Sequence, residues 1–240
     1  MRGNGMGTYK IAGLVVQMDT FGRTLQQAEP YRIADEPADL TIHSNPEPLM
    51  QKNPHLSLED CEYLSTGGSF YRQLVNFDGM MLHASSVVVD GRAYLFSAPC
   101  GTGKSTHVRL WLKLFGERAY ILNDDKPALR IVDGTVYAYG TPWSGKDDCS
   151  RNARVELGGI AVVKRAVENS IRKLTPSEAT FALMNQTARS ISSEATQRYL
   201  QTIETIVETG KLYELSCNMD ITAAKLSYET MSEMRMNNEG

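Results

Sequence analysis

The chain has 240 residues, 42% of them hydrophobic and 22% charged, and a formal net charge of −3 at pH 7. This length is enough to bury a substantial core, and the weakly acidic balance argues against nucleic acid as the main partner. There is no apolar run long enough to span a membrane, no hydrophobic signal region in residues 1–8, and no metal-ligand spacing among the four cysteines. These features predict a cytoplasmic protein with reduced thiols.

The predicted elements mix strands and helices. Residues 9–34 are rich in β-formers and predict strands, residues 36–54 predict a loop, and a helix is predicted from its N-cap Ser57 towards Phe77. The further predicted strands are 81–89, 92–98, 119–123, 128–132, 135–139, 157–164 and 211–217, and the further helices are 106–115, 176–189, 193–209 and one capped by Asp220. Strands in consecutive hairpins predict an α/β protein with a mixed sheet and flanking helices.

Two domain divisions are compatible with this pattern. The first has a β-rich N-terminal subdomain over residues 1–56 and a larger domain over 57–240. The second is a single integrated domain over residues 1–240, a length that one core can still serve.

The most informative motif is the run Ser97-Ala98-Pro99-Cys100-Gly101-Thr102-Gly103-Lys104-Ser105-Thr106, between a predicted strand and a predicted helix. It contains the Gly-x-Gly-Lys-Ser core of a nucleotide phosphate-binding loop (P-loop), with Ala98 in place of the first glycine. Lys104 is predicted to reach the β- and γ-phosphates of ATP and Ser105 to hold Mg²⁺. The remaining predicted ATP contacts in the loop are Gly101, Thr102, Gly103 and Thr106. The alternative is a glycine turn with a solvated lysine.

A histidine is predicted to lie beside this loop. An Asp-Gly turn at residues 90–91 fixes the register of a hairpin, and counting outward from it places His83 opposite Ala98. A histidine with a near-neutral pKa can hold an aspartate in place or relay its proton. A structural histidine on a strand is the alternative.

Asp124 and Asp125 end the strand after the P-loop helix, where such folds place the carboxylate that holds Mg²⁺. One is predicted to bind the metal and the other to accept a proton from an incoming hydroxyl, a solvated turn being the alternative. A second Asp-Gly turn, at residues 133–134, places Asp125 opposite Pro142 and Asp124 opposite Trp143. The segment 141–146 is therefore predicted to reach this acidic pair.

Three cations follow that segment: Lys146, Arg151 and Arg154. Arginine binds phosphate in bidentate fashion, so these residues are predicted to clamp the γ-phosphate or an anionic substrate. A charged, solvated loop is the alternative.

At these residues the chain resembles the HPr kinase/phosphorylase group and its relatives in the phosphoenolpyruvate carboxykinase-like superfamily. The resemblance covers residues 80–165 and is carried by the segments 82–85, 100–106, 124–125 and 154–160. A closer likeness is to the short HPr-kinase-like proteins of bacterial gene clusters that modify ribosomally made peptides. The implied fold is a mixed-sheet P-loop kinase with flanking helices.

The resemblance implies an ATP- and Mg²⁺-dependent phosphotransferase that moves the γ-phosphoryl group to a serine hydroxyl of a peptide or protein. It implies Asp124 as the base, Asp125 as the Mg²⁺ ligand, with an exchange of these two roles left open, and His83 as the partner of the base. Lys104 and Arg154 are the other implied catalytic residues. A nucleotide-binding switch without transfer, a small-molecule kinase and a homo-oligomeric state remain open alternatives.

Overall fold

The described residues, 6–99, 102–187 and 193–233 of a computed structural model, form seven α-helices and twelve strands. Cys100 and Gly101 of the P-loop lie outside them. The helices are α1 (Gly22–Ala28), α2 (Glu47–Lys52), α3 (Leu58–Leu74), α4 (Lys104–Phe115), α5 (Pro176–Asn185), α6 (Ser193–Glu208) and α7 (Ile221–Met231). The strands are β1 (Gly7–Ile11), β2 (Leu14–Asp19), β3 (Leu40–His43), β4 (Gly79–Met81), β5 (Ala84–Val89), β6 (Arg92–Ser97), β7 (Ala119–Asn123), β8 (Ala128–Val132), β9 (Thr135–Tyr139), β10 (Arg154–Arg165), β11 (Ser170–Lys173) and β12 (Leu212–Cys217).

The first three strands form a small sheet in which β1 runs antiparallel to β2 and β2 runs parallel to β3. The prediction of strands throughout residues 9–34 is wrong for α1, and the predicted loop at 36–54 contains β3 and α2. Two of the three residues that α1 buries, Thr24 and Gln27, are polar, so its inward face gives little apolar periodicity in the sequence. Strand β3 has only four residues and is stabilised by pairing with β2.

The larger sheet is mixed and has the strand order β4-β8-β9-β10-β6-β5-β7 among the described residues. Strand β10 runs parallel to β6 and β12 and antiparallel to β9, and β11 pairs with β12 at the edge. Strands β4 and β5 are neighbours in the chain but lie near opposite ends of this order. The sheet therefore curls back on itself.

Helices flank this sheet on both faces. Val108, Trp111 and Phe115 of α4 pack in one apolar cluster with residues of α7, and Leu183 of α5 packs in another with Ile203 of α6. The predicted mixed α/β sheet with flanking helices is confirmed. None of the described helices combines the length and apolar character needed to cross a membrane.

A third apolar cluster joins the small sheet to α3 and to the larger sheet. The ring of Phe70 in α3 stacks on the ring of Trp143 at 4.9 Å between centroids, and Ala128 and Tyr139 of the larger sheet belong to the same cluster. A Cβ atom on Gly67 would lie 2.8 Å from Trp143 Cδ1, so glycine allows the indole to approach the helix. The domain division itself remains a prediction.

The predicted hairpin registers agree with the structure where the strands remain paired. Around the 133–134 turn, β8 and β9 pair from Val132–Thr135 to Ala128–Tyr139, and around the 90–91 turn, β5 and β6 pair as far as Ala84–Ser97. The strand predicted over 81–89 is interrupted at residues 82–83. There the backbone N–H of Leu82 donates to the carbonyl of Pro127, and that of Ala84 to the carbonyl of Asp125.

Candidate functional site

The P-loop motif lies where β6 gives way to α4. Gly103 has φ +119°, and a Cβ atom there would meet nothing within 4 Å. The backbone N–H of His107 donates to the Gly103 carbonyl at 2.9 Å. The N–H groups of the helix's first turn have no carbonyl within the helix to accept from them, and they carry the positive end of the helix dipole. This arrangement suits an anion.

Two side chains hold the carbonyl groups of the loop. Lys104 Nζ donates to the Ala98 carbonyl at 2.9 Å, and Arg165 Nε donates to the Thr102 carbonyl at 3.1 Å. Arg165 is the last residue of β10 and pairs with Cys217 of β12, outside every sequence motif, so only the tertiary structure brings it to the loop.

Ser105 lies close to the acidic pair through Ser85, which is not among the predicted site residues. Ser105 Oγ is 3.2 Å from Ser85 Oγ, and Ser85 Oγ donates to the Asp124 carbonyl at 3.3 Å. In the predicted strand over 81–89, alternation places Ser85 on the same face as His83. That pattern is the signal by which the sequence could have identified Ser85.

Asp125 lies in a half-buried, charged environment. His83 Nε2 is 3.5 Å from Asp125 Oδ1, and Lys126 Nζ contacts Asp125 Oδ2. Burial is the largest influence on this carboxyl and opposes its ionisation. The hydrogen bond from His83 and the charge of Lys126 outweigh that burial and hold the pKa of Asp125 below its usual value. Asp125 is therefore a carboxylate at neutral pH.

Asp124 presents a different environment. Its Oδ1 atom is buried and has no hydrogen-bond partner among the described residues. Asn123 Oδ1 accepts the backbone N–H groups of Asp125 at 2.9 Å and Lys126 at 2.7 Å, which fixes the turn that carries both carboxylates. A buried carboxylate oxygen without a partner is costly unless a cation or a donor satisfies it.

The segment 141–146 reaches the acidic pair, but not as the register count predicts. The count holds to Thr141, whose Oγ1 donates to the Lys126 carbonyl at 2.9 Å. The prediction that Trp143 lies opposite Asp124 is wrong, because the indole is buried against Phe70. Asp124 instead donates its N–H to the Cys149 carbonyl at 3.1 Å.

Gly145 brings the segment back to Asp125. A Cβ atom on Gly145, which has φ +85°, would lie 3.1 Å from Asp125 Cβ. Lys146 follows it as an exposed residue. The charge of Lys146 acts on Asp60 of α3. Hydrogen bonding from Ser57, together with the nearby charges of Arg23 and Lys146, lowers the pKa of Asp60.

The two predicted arginines lie over aromatic rings, and the position of Arg154 on β10 separates it from the P-loop. Arg151 lies over the ring of Tyr120 at 4.3 Å, and Arg154 lies over the ring of Tyr137 at 3.7 Å. Ser97 pairs with Val162 of β10, eight positions after Arg154, which is about 25 Å along the strand. Contacts with aromatic faces account for both guanidinium groups.

Two cavities adjoin the loop on either side of Thr102. The larger, of about 660 Å³, is bounded by Pro99 and by Ala182 and Gln186 at the end of α5. The Gln186 carbonyl accepts the backbone N–H of His83 at 2.8 Å, so this cavity adjoins the segment that carries His83. The smaller, of about 380 Å³, lies between α4 and the end of β12.

No cluster of three or more His, Cys, Asp or Glu side chains among the described residues is arranged to hold a metal ion. Magnesium does not require one, because it is commonly held by one or two carboxylates, a hydroxyl, water and phosphate oxygens. Cys61, Cys149 and Cys217 are free cysteines.

Comparison with known proteins yields a distant structural likeness. No protein-family model matches the chain, and no curated protein matches it. One solved structure that matches is that of the Hpr(Ser) kinase/phosphatase from Coxiella burnetii, at 13% sequence identity and a TM-score of 0.30. The match covers 54% of this chain and 94% of that chain.

Proposed function

We propose that this chain is an ATP-dependent phosphotransferase that moves the γ-phosphoryl group onto a hydroxyl, with serine of a peptide or protein as the acceptor. The observation that carries the proposal is a junction of three parts of the chain. The hydroxyl of Ser105, at the start of α4, lies within hydrogen-bond distance of the hydroxyl of Ser85, at the start of β5. Ser85 in turn donates to the carbonyl of Asp124, in the turn that also carries Asp125. A nucleotide-binding helix end and two carboxylates are the parts that phosphoryl transfer needs.

The residues at this junction fit Mg²⁺. The Ser105 hydroxyl and the buried Asp124 Oδ1, which has no partner in the described part of the chain, are hard oxygen donors of the kind that Mg²⁺ prefers. We assign Asp124 and Ser105 as its ligands, which exchanges the roles that the resemblance implies for the two aspartates. Bound there, Mg²⁺ would neutralise charge on the β- and γ-phosphates.

Asp125 is the proposed base. Its pKa lies below the usual value, so it is ionised at neutral pH and able to accept the proton of an incoming hydroxyl. His83 holds one carboxylate oxygen and Lys126 the other, which orients the group. In the same scheme, the N–H groups at the start of α4 and the Lys104 ammonium bind the phosphates.

The first test is nucleotide binding. Replacing Lys104 with alanine removes a charge-assisted contact to phosphate worth about 1.5–3 kcal/mol. We therefore expect Lys104→Ala to weaken Mg-ATP binding about ten- to hundredfold in calorimetry. Lys113→Ala, which removes an exposed lysine from the last turn of the same helix, is the matched control and leaves binding unchanged. A folded wild type that does not bind Mg-ATP would rule out the proposed function.

The second test separates the two aspartates. Asp125→Asn should lower transfer of labelled γ-phosphoryl to a pool of serine-containing peptides by about 10²–10⁴-fold, because the base is lost, while Mg-ATP affinity is retained. Asp124→Asn should weaken the Mg²⁺-dependent part of ATP binding.

Asp147→Asn, in the exposed loop where Asp147 meets Arg109, is the control for both variants. Transfer by Asp125→Asn at the wild-type rate would refute the assignment of the base. Wild-type Mg-ATP binding with no transfer to any peptide in the pool would favour a nucleotide-dependent switch.

A further inference from the structure

The smaller cavity, between α4 and the end of β12, has the position and lining of a nucleoside site. Gly103 and Thr106 of the P-loop form one wall, and Leu110, Val163 and Met219 contribute apolar surface. Its volume of about 380 Å³ falls in the range of small-molecule sites. Met219 at the rim is 78% exposed, so its side chain is accessible to a ligand.

The direction of the phosphate chain follows from two neighbouring residues of α4. Successive helix residues project about 100° apart. Ser105 Oγ points to Ser85 and the acidic pair, whereas Thr106 faces the smaller cavity. A triphosphate whose γ-phosphate lies at the acidic pair therefore has its α-phosphate end on the Thr106 side.

The larger cavity lies on the other side of the loop. It is bounded by Gln186, whose carbonyl accepts the N–H of His83, and so it adjoins the segment that carries the proposed base. A nucleoside there would lie beside the segment that carries His83. The larger cavity thus lies beside the segment that carries His83, whereas the smaller cavity lies on the Thr106 side of α4.

We infer that the cavity between α4 and β12 holds the base and ribose of the nucleotide, with Leu110, Val163, Ala166 and Met219 packing on the base. This inference rests on the proposed function, because the phosphates that orient the nucleoside are those the P-loop binds. Asn218 already bonds within the chain, since its amide donates to the Val167 carbonyl and its Oδ1 accepts the N–H of Asp220. Apolar contact with these four side chains is the proposed mode of base binding.

A pair of matched substitutions tests the inference. Ala166 and Ala182 are both half-buried, and each lines one of the two cavities. Ala166→Trp fills the proposed nucleoside cavity, and Ala182→Trp fills the other. Calorimetry with Mg-ATP and with Mg-tripolyphosphate, which has the phosphates but no nucleoside, then separates the two parts of the ligand.

We expect Ala166→Trp to weaken Mg-ATP binding at least tenfold and to leave tripolyphosphate binding unchanged, and Ala182→Trp to change neither. Met219→Glu, at an exposed position that folding tolerates, should reproduce the selective loss if Ala166→Trp does not fold. Wild-type affinity for ATP in both Ala166→Trp and Met219→Glu would overturn the inference, as would a selective loss of ATP binding in Ala182→Trp. In those cases the proposed function stands, whereas a wild type that binds neither ligand would refute both.

Discussion

Asp124 and Asp125 are adjacent in sequence, yet their side chains meet opposite surroundings. Asp125 is held by His83 and Lys126, while the Asp124 Oδ1 atom is buried without a partner among the described residues. Asn123 makes this difference possible, because its side chain accepts the two N–H groups that follow Asp124 and fixes the turn. Two neighbouring carboxylates can thus serve different chemistry when a single turn points them apart.

The pH dependence of transfer tests the pairing of His83 with Asp125. His83 helps to lower the pKa of Asp125, so removing the imidazole raises that pKa. The base works only when ionised, and activity falls as the pH drops through its pKa. In His83→Ala the acid limb of the pH–rate profile should therefore move to higher pH, with Mg-ATP affinity unchanged.

His43→Ala is the control for that experiment. His43 Nδ1 lies 3.5 Å from Asp19 Oδ2, the same separation as in the His83–Asp125 pair, but in the small sheet away from the P-loop. This variant should keep the wild-type profile. An acid limb that stays in place in His83→Ala would show that His83 does not tune the base.

At the scale of elements, the site depends on how a strand becomes a helix. Strand β6 ends at Ser97 and α4 begins at Lys104, and Gly103 between them has φ +119°. Because a Cβ atom on Gly103 would meet no neighbour, replacing this glycine destabilises the protein through backbone strain and not through a steric clash. Backbone geometry at this residue therefore sets where the N–H groups of α4 point.

Two glycines of the same helix allow a controlled test of that geometry. Gly103 precedes α4 and Gly116 follows it, both have positive φ, and neither would bring a Cβ atom within 4 Å of a neighbour. Alanine at either position should lower the free energy of unfolding by about 1–3 kcal/mol in urea denaturation. Only Gly103→Ala should also weaken Mg-ATP binding in calorimetry, at least tenfold. Equal binding by the two variants would show that the Gly103 backbone does not shape the phosphate site.

At the scale of the whole molecule, the small N-terminal sheet is joined to the larger sheet through α3. Phe70 stacks on Trp143, and Trp143 belongs to the segment that returns to Asp125 at Gly145. The same apolar cluster contains residues of both sheets. Packing between the two sheets therefore supports the position of the acidic pair.

This shared cluster predicts that residues 1–240 unfold as one cooperative unit. Phe70→Ala should lower the free energy of unfolding by about 3–5 kcal/mol and shift a single calorimetric transition to lower temperature. Phe181→Ala, at a side chain that is 65% exposed, should change it by less than about 0.5 kcal/mol. Two separate transitions in the wild type would instead support independent units at 1–56 and 57–240.

Local sequence patterns were sufficient for the parts of the fold that local interactions stabilise. The Asp-Gly turns predict the registers of both hairpins as far as the strands remain paired. The Ser57 cap and the capping box at Thr175 and Glu178 likewise mark the starts of α3 and α5. Helix α1 and strand β3 were missed, because a polar inward face and a four-residue strand leave little periodic signal.

The sequence by itself determined the P-loop motif, the acidic pair and the hairpin that brings His83 beside them, since each depends on residues close together in the chain. Only the tertiary structure decided the partners of each carboxylate, the return of Gly145 to Asp125 and the position of Arg154 far along β10. One physical reason is that Trp143 is buried against Phe70, so the strand pairing of the hairpin does not continue to this residue. The other is that the sheet curls, which places the link between β4 and β5 next to the acidic turn. Long-range packing of this kind leaves no trace in residue spacing.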